Sequence, residues 1–347
     1  MQTKQQMLLD FLGAPGTQLV IPVYQRVYAW SERQCDALWN DVLRAGRAGS
    51  AHFIGTVLFA PEPPEPAQGI EARLGIIDGQ QRAATLTLLL TALRDHLRDT
   101  GTALEGIDAP GITRRYLHVA GSSDGAAPKL VLARADRATM EAVIEGAELP
   151  GEDDRSANVV ANYGHFRAKM GARFAAEDAA VLWCGLQRLL VIAAELDGED
   201  RPQVVFESLN SKGMPLTTAD LVRNLLLVGV DYEEQKRLYE MYWLPIERLF
   251  ADDRASMRLN AALHGWLAVT APQLRIGSKD QVYGAFKTYV RDVHQGTLEE
   301  LLRGLRGFCQ TFAAKSQSSG AASAASHATW GSGKPAGIIS EKRLFGD

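Results

Sequence analysis

Hydrophobic residues follow two different patterns along this chain. In the first hundred residues, short apolar runs bounded by turn residues predict strands, and longer stretches with apolar residues every third or fourth position predict helices. The predicted elements are a helix at 3–12, a strand at 18–21, a helix that begins after Ser31, strands at 52–60 and 72–77, and a helix at 80–98. The two adjacent strands would form a long hairpin, and this front part is a small α+β unit.

From about residue 134 the pattern becomes mostly helical. Helices are predicted at 134–146, 158–174, 177–187, 200–209, 218–229, 232–249, 255–270, 279–291 and 297–314, with one strand at 189–195. A segment rich in Ser, Ala and Gly follows, which is typical of a flexible linker. We therefore expect an α+β core over 1–100, a helical region over 101–315, and a linker over 316–347 that leads to a further domain outside this chain.

Composition excludes several classes of protein. The 37 basic and 41 acidic residues give a net charge of −4, so a positively charged blanket over the surface is excluded, whereas a local basic groove is allowed. The three cysteines lie far apart without a C-x-x-C pair, which argues against a zinc site and a disulfide framework. No apolar stretch reaches the ~20 residues of a membrane helix. We expect a cytoplasmic protein without a membrane partner.

An aromatic and polar segment, IPVYQRVYAW, occupies residues 21–30. It includes Tyr24 and Gln25, and it is too polar for a core strand. Arg26 can bind a phosphate through two N–H groups, and the rings of Tyr28 and Trp30 can stack on a base. The alternative is that the two rings pack the strand onto the next helix while the guanidinium is solvated.

A second segment, IIDGQQRAATL at 76–86, places a glycine between a strand end and a helix start. The free N–H groups of a helix start attract phosphate, and Gly79 would let a phosphate approach the backbone. Arg82 lies in the first turn and can reach the same oxygens. Asp78 would orient a metal ion or a water, or it would simply cap the helix.

Two further segments carry polar residues of interest. Residues 205–224 are typical of a helical hairpin, which leaves a polar cluster of Asn210, Lys212, Asp220, Arg223 and Asn224 unexplained. The segment HFIG at 52–55 has a glycine in mid-strand, which often marks the close approach of a ligand or of backbone. The sequence contains no Walker A motif, no H-E-x-x-H and no G-x-S-x-G.

The four segments, in this order, resemble the N-terminal domain of GmrSD-type modification-dependent restriction endonucleases, a family with phosphorothioate-sensing members. The resemblance covers about residues 7–230. It implies a ParB/sulfiredoxin-like α+β core followed by a helical region. It also implies an anti-phage NTPase that uses GTP or ATP with Mg²⁺ and senses modified double-stranded DNA. A C-terminal nuclease domain would cut that DNA, and a homo-oligomer is left open.

The resemblance also implies roles for individual residues. The catalytic group would be Asp78, Gln81 and Arg82, with Asp78 also at the metal. The nucleotide would be bound by Gly79, Gln80, Gln25, Arg26, Asn210, Lys212, Asp220, Arg223 and Asn224. DNA and its modification would be sensed by Tyr24, Tyr28, Trp30, His52 and Phe53. A basic groove would contain Arg26, Arg82, Arg114, Arg115 and Arg223.

One departure from the family and one rival function stay open. The family often has Thr-Thr-Leu after the turn, where this chain has Ala84-Thr85-Leu86, so one hydroxyl contact with phosphate or metal would be missing. The rival is a non-catalytic module in which the same pocket binds DNA or a nucleotide as a switch. The convergence of Asp78 and Arg82 favours the enzyme.

Overall fold

The computed structural model describes residues 1–64, 69–119, 127–197, 205, 216–250, 255–276 and 281–328. At residues 134, 135, 232, 255, 256 and 316–328 it describes the backbone only. The chain divides into two compact units, Met1–Met241 and Tyr242–Asp347.

A six-stranded mixed sheet organises the first unit. Its strands are β1 (Gln2–Met7), β2 (Thr17–Val20), β3 (His52–Glu62), β4 (Ala72–Asp78), β5 (Leu130–Val131) and β6 (Leu189–Glu195). They lie in the order β1-β6-β3-β4-β2-β5. Strand β2 is parallel to both β4 and β5. These three strands therefore end at one edge of the sheet, here called the carboxyl edge, and begin at the opposite one, the amino edge.

Helices of the first unit cover this sheet. They are α1 (Leu8–Leu12), α2 (Glu32–Ala48), α3 (Gln80–Thr100), α4 (Ala109–Ile112), α5 (Arg134–Glu145), α6 (Ala157–Lys169), α7 (Ala176–Leu186), α8 (Thr218–Leu227) and α9 (Tyr232–Leu238). Helix α3 lies at the centre, because nearly all its side chains are buried and Leu86, Leu89 and Leu93 are fully enclosed. Its position fixes the turn at its N-terminus against the sheet.

The second unit is helical within its described residues. It contains α10 (Leu244–Leu249), α11 (Ala255–Thr270), α12 (Val282–Thr288) and α13 (Leu298–Ala328). Its core includes Trp266 stacked on Phe286, with ring centroids 5.2 Å apart. Helix α13 continues to Ala328, so the backbone is helical in the first part of the segment predicted as a flexible linker. Residues 329–347 lie outside the described residues.

Much of the predicted secondary structure is confirmed. The hairpin of β3 and β4 forms as expected, β6 has the predicted bounds, and Ser31 begins α2 in a capping box with Gln34. The α+β class is likewise confirmed, whereas the likeness to a ParB/sulfiredoxin core stays a prediction. No helix in the described ranges has both the length and the apolarity needed to cross a membrane.

Other predictions need correction. Residues predicted as a helix at 3–12 form strand β1 and only then α1, because the polar segment QTKQQM pairs as an edge strand with β6. Edge strands commonly carry polar residues, and this segment therefore lacks the alternation of apolar and polar residues that predicts a strand. The sequence predicts a domain boundary at residue 100. Strands from both sides of this residue belong to one sheet. Of the predicted helix at 200–209, only residue 205 is described.

Candidate functional site

Three sequence segments meet at the carboxyl edge of the sheet. The segment at 21–30 follows β2, the turn at Asp78 and Gly79 ends β4, and helix α8 contacts the first of these segments through Arg223. The carboxyl ends of parallel strands are where many α/β proteins place their ligands. Some side chains at this edge are open to a ligand, and others hold the edge together.

The turn before α3 leaves the helix N-terminus without a side-chain cap. Gly79 is the N-cap residue, with a φ of +94°, and within the described ranges no side chain bonds to the first N–H groups. A Cβ at this position would lie 3.3 Å from the Thr56 carbonyl oxygen and 3.3 Å from Val57 Cγ2. The capping role considered for Asp78 is therefore wrong, and the turn requires glycine for both conformation and space.

Arg82 and the HFIG segment fit together at this turn. The Arg82 Nη1 donates to the Thr56 carbonyl oxygen at 2.9 Å. A Cβ on Gly55, whose φ is +112°, would lie 3.2 Å from Arg82 Nη2. The mid-strand glycine thus makes room for the guanidinium. Burial lowers the pKa of Arg82 from its ordinary value, and the nearby Asp78 carboxylate opposes that shift.

Two glutamines hold the aromatic segment to the turn. Gln25 is buried and donates to the Ile77 carbonyl oxygen at 2.8 Å. The Gln81 side-chain oxygen accepts from the N–H groups of Ala29 and Trp30, at 2.8 and 3.2 Å. Its amide nitrogen donates to the Val27 carbonyl oxygen at 3.2 Å. The amide of Gln81 thus clamps the backbone of the aromatic segment, and its predicted catalytic role stays a prediction.

Tyr28 lies inside a buried hydrogen-bond network. Its ring is only 3% exposed. Its hydroxyl lies 2.7 Å from Thr85 Oγ1 and accepts from Asn162 Nδ2 at 2.9 Å. Its backbone N–H donates to Asp136 Oδ2 at 2.6 Å. Tyr24 is 4% exposed. Both residues are therefore enclosed in this structure, and their predicted role in sensing DNA stays a prediction.

Helix α8 is tied to the aromatic segment by Arg223. Its Nε donates to the Tyr24 carbonyl oxygen at 2.6 Å, and its Nη2 pairs with Asp220 Oδ1 at 2.7 Å. Asp220 also forms the predicted capping box with Thr217. Burial raises the pKa of Asp220, but Arg223 and the Thr217 bonds outweigh it, so the pKa lies below its ordinary value.

Arg26 is the cation with the most freedom at this edge. Its buried Nε has no hydrogen-bond partner in the part of the chain that the structure describes. Burial lowers the pKa of Arg26, and the carboxylates of Asp220 and Asp78 oppose the shift. Two buried oxygens, Gln80 Oε1 and Asn224 Oδ1, also lack partners among described residues. Unpartnered buried polar atoms are costly and often mark a ligand or water site.

The space at this edge is small. A cavity beside Arg26, Gln80 and Ala84 has room for about one water molecule. Ala84 stands where the family often has a first threonine, so the missing hydroxyl falls on this cavity. A nucleotide needs roughly 300 Å³ or more. This cavity is therefore smaller than a nucleotide needs.

The remaining predicted sensing residues lie at the surface. Phe53 is 52% exposed at the start of β3, and Trp30 is half-buried. His52 Nε2 lies 3.5 Å from Asp41 Oδ2. These side chains can reach a large ligand without rearrangement. Asn210 and Lys212 lie outside the described residues.

The predicted basic groove does not assemble as one surface. Arg223 is buried in its bonds to Tyr24 and Asp220. Arg114 and Arg115 line a cavity with Ala14, before β2, and so lie at the amino edge. Arg26 follows β2 and Arg82 follows β4, so these two lie at the carboxyl edge. Arg114 and Arg115 lie at the opposite ends of the strands.

Sequence reasoning missed the residues that support the aromatic segment. Asp136, Asn158 and Asn162 all bond to the backbone or hydroxyl of residues 28–30. Asn162 shares its helix face with the fully buried Val159 and Phe166. A polar residue on an apolar helix face was the available signal. No cluster of three or more His, Cys, Asp or Glu suited to a metal occurs in the described ranges.

A model described as the GmrSD restriction endonuclease N-terminal domain matches residues 8–227. This range covers all three segments of the carboxyl edge and more than half of the chain. Among curated proteins, none matches the chain.

Proposed function

We propose, because this chain belongs to the family of GmrSD restriction endonuclease N-terminal domains, that it is the nucleotide-hydrolysing sensor of a modification-dependent restriction system. In this proposal the α3 N-terminus binds the phosphates of GTP or ATP. Modified double-stranded DNA, for instance with a phosphorothioate, raises turnover. The signal passes to a C-terminal nuclease domain, and the protein works in the cytoplasm.

The observation that supports this proposal most strongly is the uncapped start of α3. A long buried helix begins there, and among the described residues no side chain bonds to its first N–H groups. Arg26 and Arg82 lie beside it, and the Asp78 carboxylate influences both guanidinium groups. A helix N-terminus with adjacent arginines is a favourable place for phosphate oxygens.

The chemistry of Asp78 also fits a magnesium ion that arrives with the nucleotide. Its carboxylate makes no hydrogen bond among the described residues, so its oxygens are available. Mg²⁺ is usually held by one or two carboxylates together with phosphate oxygens and water. When bound, the ion neutralises charge on the phosphates. Asp220 is less suited, because its oxygens are occupied by Thr217 and Arg223.

The surface residues Phe53, His52 and Trp30 are the proposed contacts to DNA. They flank the same edge as the phosphate site, and the Phe53 ring is already open to solvent. DNA bound there would lie next to Gly55 and therefore next to Arg82. Such a position links DNA binding to the phosphate site through one short stretch of β3.

Phosphate release tests the proposal. GTP and ATP with Mg²⁺ are supplied to the wild-type chain without DNA, with plain duplex and with phosphorothioate duplex. Arg26→Gln removes a guanidinium that makes no described hydrogen bond, so the fold should be kept. We expect turnover to fall about 100-fold in this variant. The exposed Arg173 serves as a matched control, and Arg173→Gln should retain wild-type turnover.

The non-catalytic switch is supported by a different observation. The amide of Gln81, a residue placed in the catalytic group by the resemblance, is held by the backbone of residues 27–30. If nucleotide or DNA binds and Arg26→Gln weakens that binding, but no phosphate is released under any condition, the switch replaces the enzyme. Equal turnover in Arg26→Gln and wild type would reject the proposed phosphate site itself.

A further inference from the structure

A cavity of about 770 Å³ opens at the amino edge of the sheet, away from the α3 N-terminus. It lies before β2 and β5, whereas the proposed phosphate site lies after β2 and β4. Its walls are largely apolar and include Pro15, Leu104 and Ile107. This volume is typical of pockets that bind small molecules.

A buried lysine lines this cavity. Lys129 is 2% exposed, and its Nζ donates to the Ala14 carbonyl oxygen. That is its one hydrogen-bond acceptor among the described residues, although an ammonium carries three donors. Lysine is almost never fully buried without a charged partner, because desolvation of the ammonium is costly. An anion in the cavity would supply the missing acceptors.

Two arginines add positive charge at the same cavity. Arg114 and Arg115 are exposed and line it together with Lys129. Arg115 lies 3.9 Å from Asp10, a distance that leaves its fork of N–H donors largely available. The one carboxylate among the lining residues is Asp108, whose Oδ1 accepts from the Gly111 N–H at 2.7 Å. Cations therefore outnumber the carboxylate in this lining.

We infer that this cavity binds a small molecule with a phosphoryl group on a flat apolar body, of the class of nucleoside monophosphates. The phosphoryl group would contact Lys129 and Arg114, and the body would lie against Leu104 and Ile107. A DNA duplex fits less well, because the ammonium is enclosed and a duplex backbone stays at the surface. The site is independent of the proposed phosphate site at α3.

Calorimetric titration of the full chain with GMP and AMP tests this inference. Guanosine and adenosine, which lack the phosphoryl group, are titrated in parallel. Lys129→Met and Arg114→Gln should each weaken binding by about tenfold or more, which is the range for loss of a charged hydrogen bond. Arg173→Gln should bind as the wild type does, because this exposed residue does not line the cavity.

Each outcome decides for or against the site. Binding of a monophosphate that both Lys129→Met and Arg114→Gln weaken supports it, and the exposed Arg114 guards against loss by misfolding. The inference is overturned if neither monophosphate binds or if both variants bind normally. It is also overturned if the two variants weaken binding of a short DNA duplex while monophosphate binding is unchanged.

Discussion

The two edges of the sheet differ in how their polar groups are used. At the carboxyl edge, the side chains of Gln25, Gln81, Tyr28 and Arg223 bond to backbone or to other buried side chains. The cavity between them has room for about one water. At the amino edge, a cavity of about 770 Å³ is lined by Lys129 and two exposed arginines. The carboxyl edge thus has many contacts and little space, whereas the amino edge has few contacts and a large cavity.

The conspicuous sequence motifs and the larger cavity therefore lie at different edges of the sheet. The conspicuous motifs, D-G-Q-Q-R and Y-Q-R-x-Y-x-W, lie at the crowded edge, where most of their residues are structural. The open cavity is formed by residues in loops and short helical turns without a recognisable motif. A conspicuous motif therefore marks where the fold needs defined residues, and a ligand site needs a second observation. At the crowded edge, that observation is the unpartnered Arg26 Nε.

The largest expected difference between the edges concerns glycine. Gly79→Ala should lower the free energy of unfolding by about 3 kcal/mol, because a left-handed conformation and a crowded Cβ both oppose it. Gly106 also has a positive φ, +76°, but its Cβ would meet nothing within 4 Å. Gly106→Ala should therefore cost about 1 kcal/mol. Urea denaturation of the two variants measures both values.

Equal losses in the two glycine variants would contradict the comparison. They would mean that the close approach of Gly79 to Thr56 and Val57 is relieved by a small shift of β3. A loss at Gly106 larger than at Gly79 would show that the amino edge is the more rigid one.

The next largest effect is expected at the glutamine clamp. Gln81→Ala leaves two backbone N–H groups and one carbonyl oxygen of residues 27–30 without their partner, and should cost about 2–3 kcal/mol. The matched residue at the amino edge is Gln18, which is buried and makes one bond, to the Pro128 carbonyl oxygen at 2.9 Å. Gln18→Ala should cost about 1 kcal/mol. If the two losses are similar, Gln81 is not the clamp and its catalytic role regains support.

Gln81 also shows where sequence reasoning reaches its limit. The strand, the glycine turn and the helix around it are local features, and periodicity with turn chemistry predicts them well. The partners of its amide lie about fifty residues earlier in the chain. No local pattern indicates whether an amide is free for chemistry or bound by distant backbone. The same limit hid β1, because its pairing with β6 spans most of the first unit.

Lys129 should produce a change of opposite sign. Burial lowers the pKa of Lys129 to about 8. Lys129→Met removes the desolvated charge and keeps most of the length of the side chain, so it should stabilise the protein by about 1–2 kcal/mol at pH 7. The lost bond to the Ala14 carbonyl oxygen offsets part of this gain. Destabilisation by this variant would mean that the ammonium is well satisfied without a ligand.

The pH dependence of that gain follows from the lowered pKa. Between pH 8 and the ordinary lysine value of about 10.4, the unfolded state binds more protons than the folded state, so wild-type stability should rise with pH. Below pH 8 the cost of the buried charge is fully present. The advantage of Lys129→Met should therefore shrink by about 2 kcal/mol from pH 7 to pH 9.5. Denaturation of both proteins at the two pH values measures the difference, and other titrating groups cancel.

The smallest effect separates a supporting tyrosine from a sensing one. Tyr28→Phe removes the bonds to Thr85 and Asn162 and should cost about 1 kcal/mol. Tyr116 at the amino edge is also 3% exposed, but its hydroxyl makes no hydrogen bond among the described residues, so Tyr116→Phe should change stability by less than about 0.5 kcal/mol. Because the Tyr28 ring is enclosed, its variant should bind modified and plain duplex in the wild-type ratio. A selective loss of modified-DNA binding would show that Tyr28 contacts the DNA and that this edge opens around it.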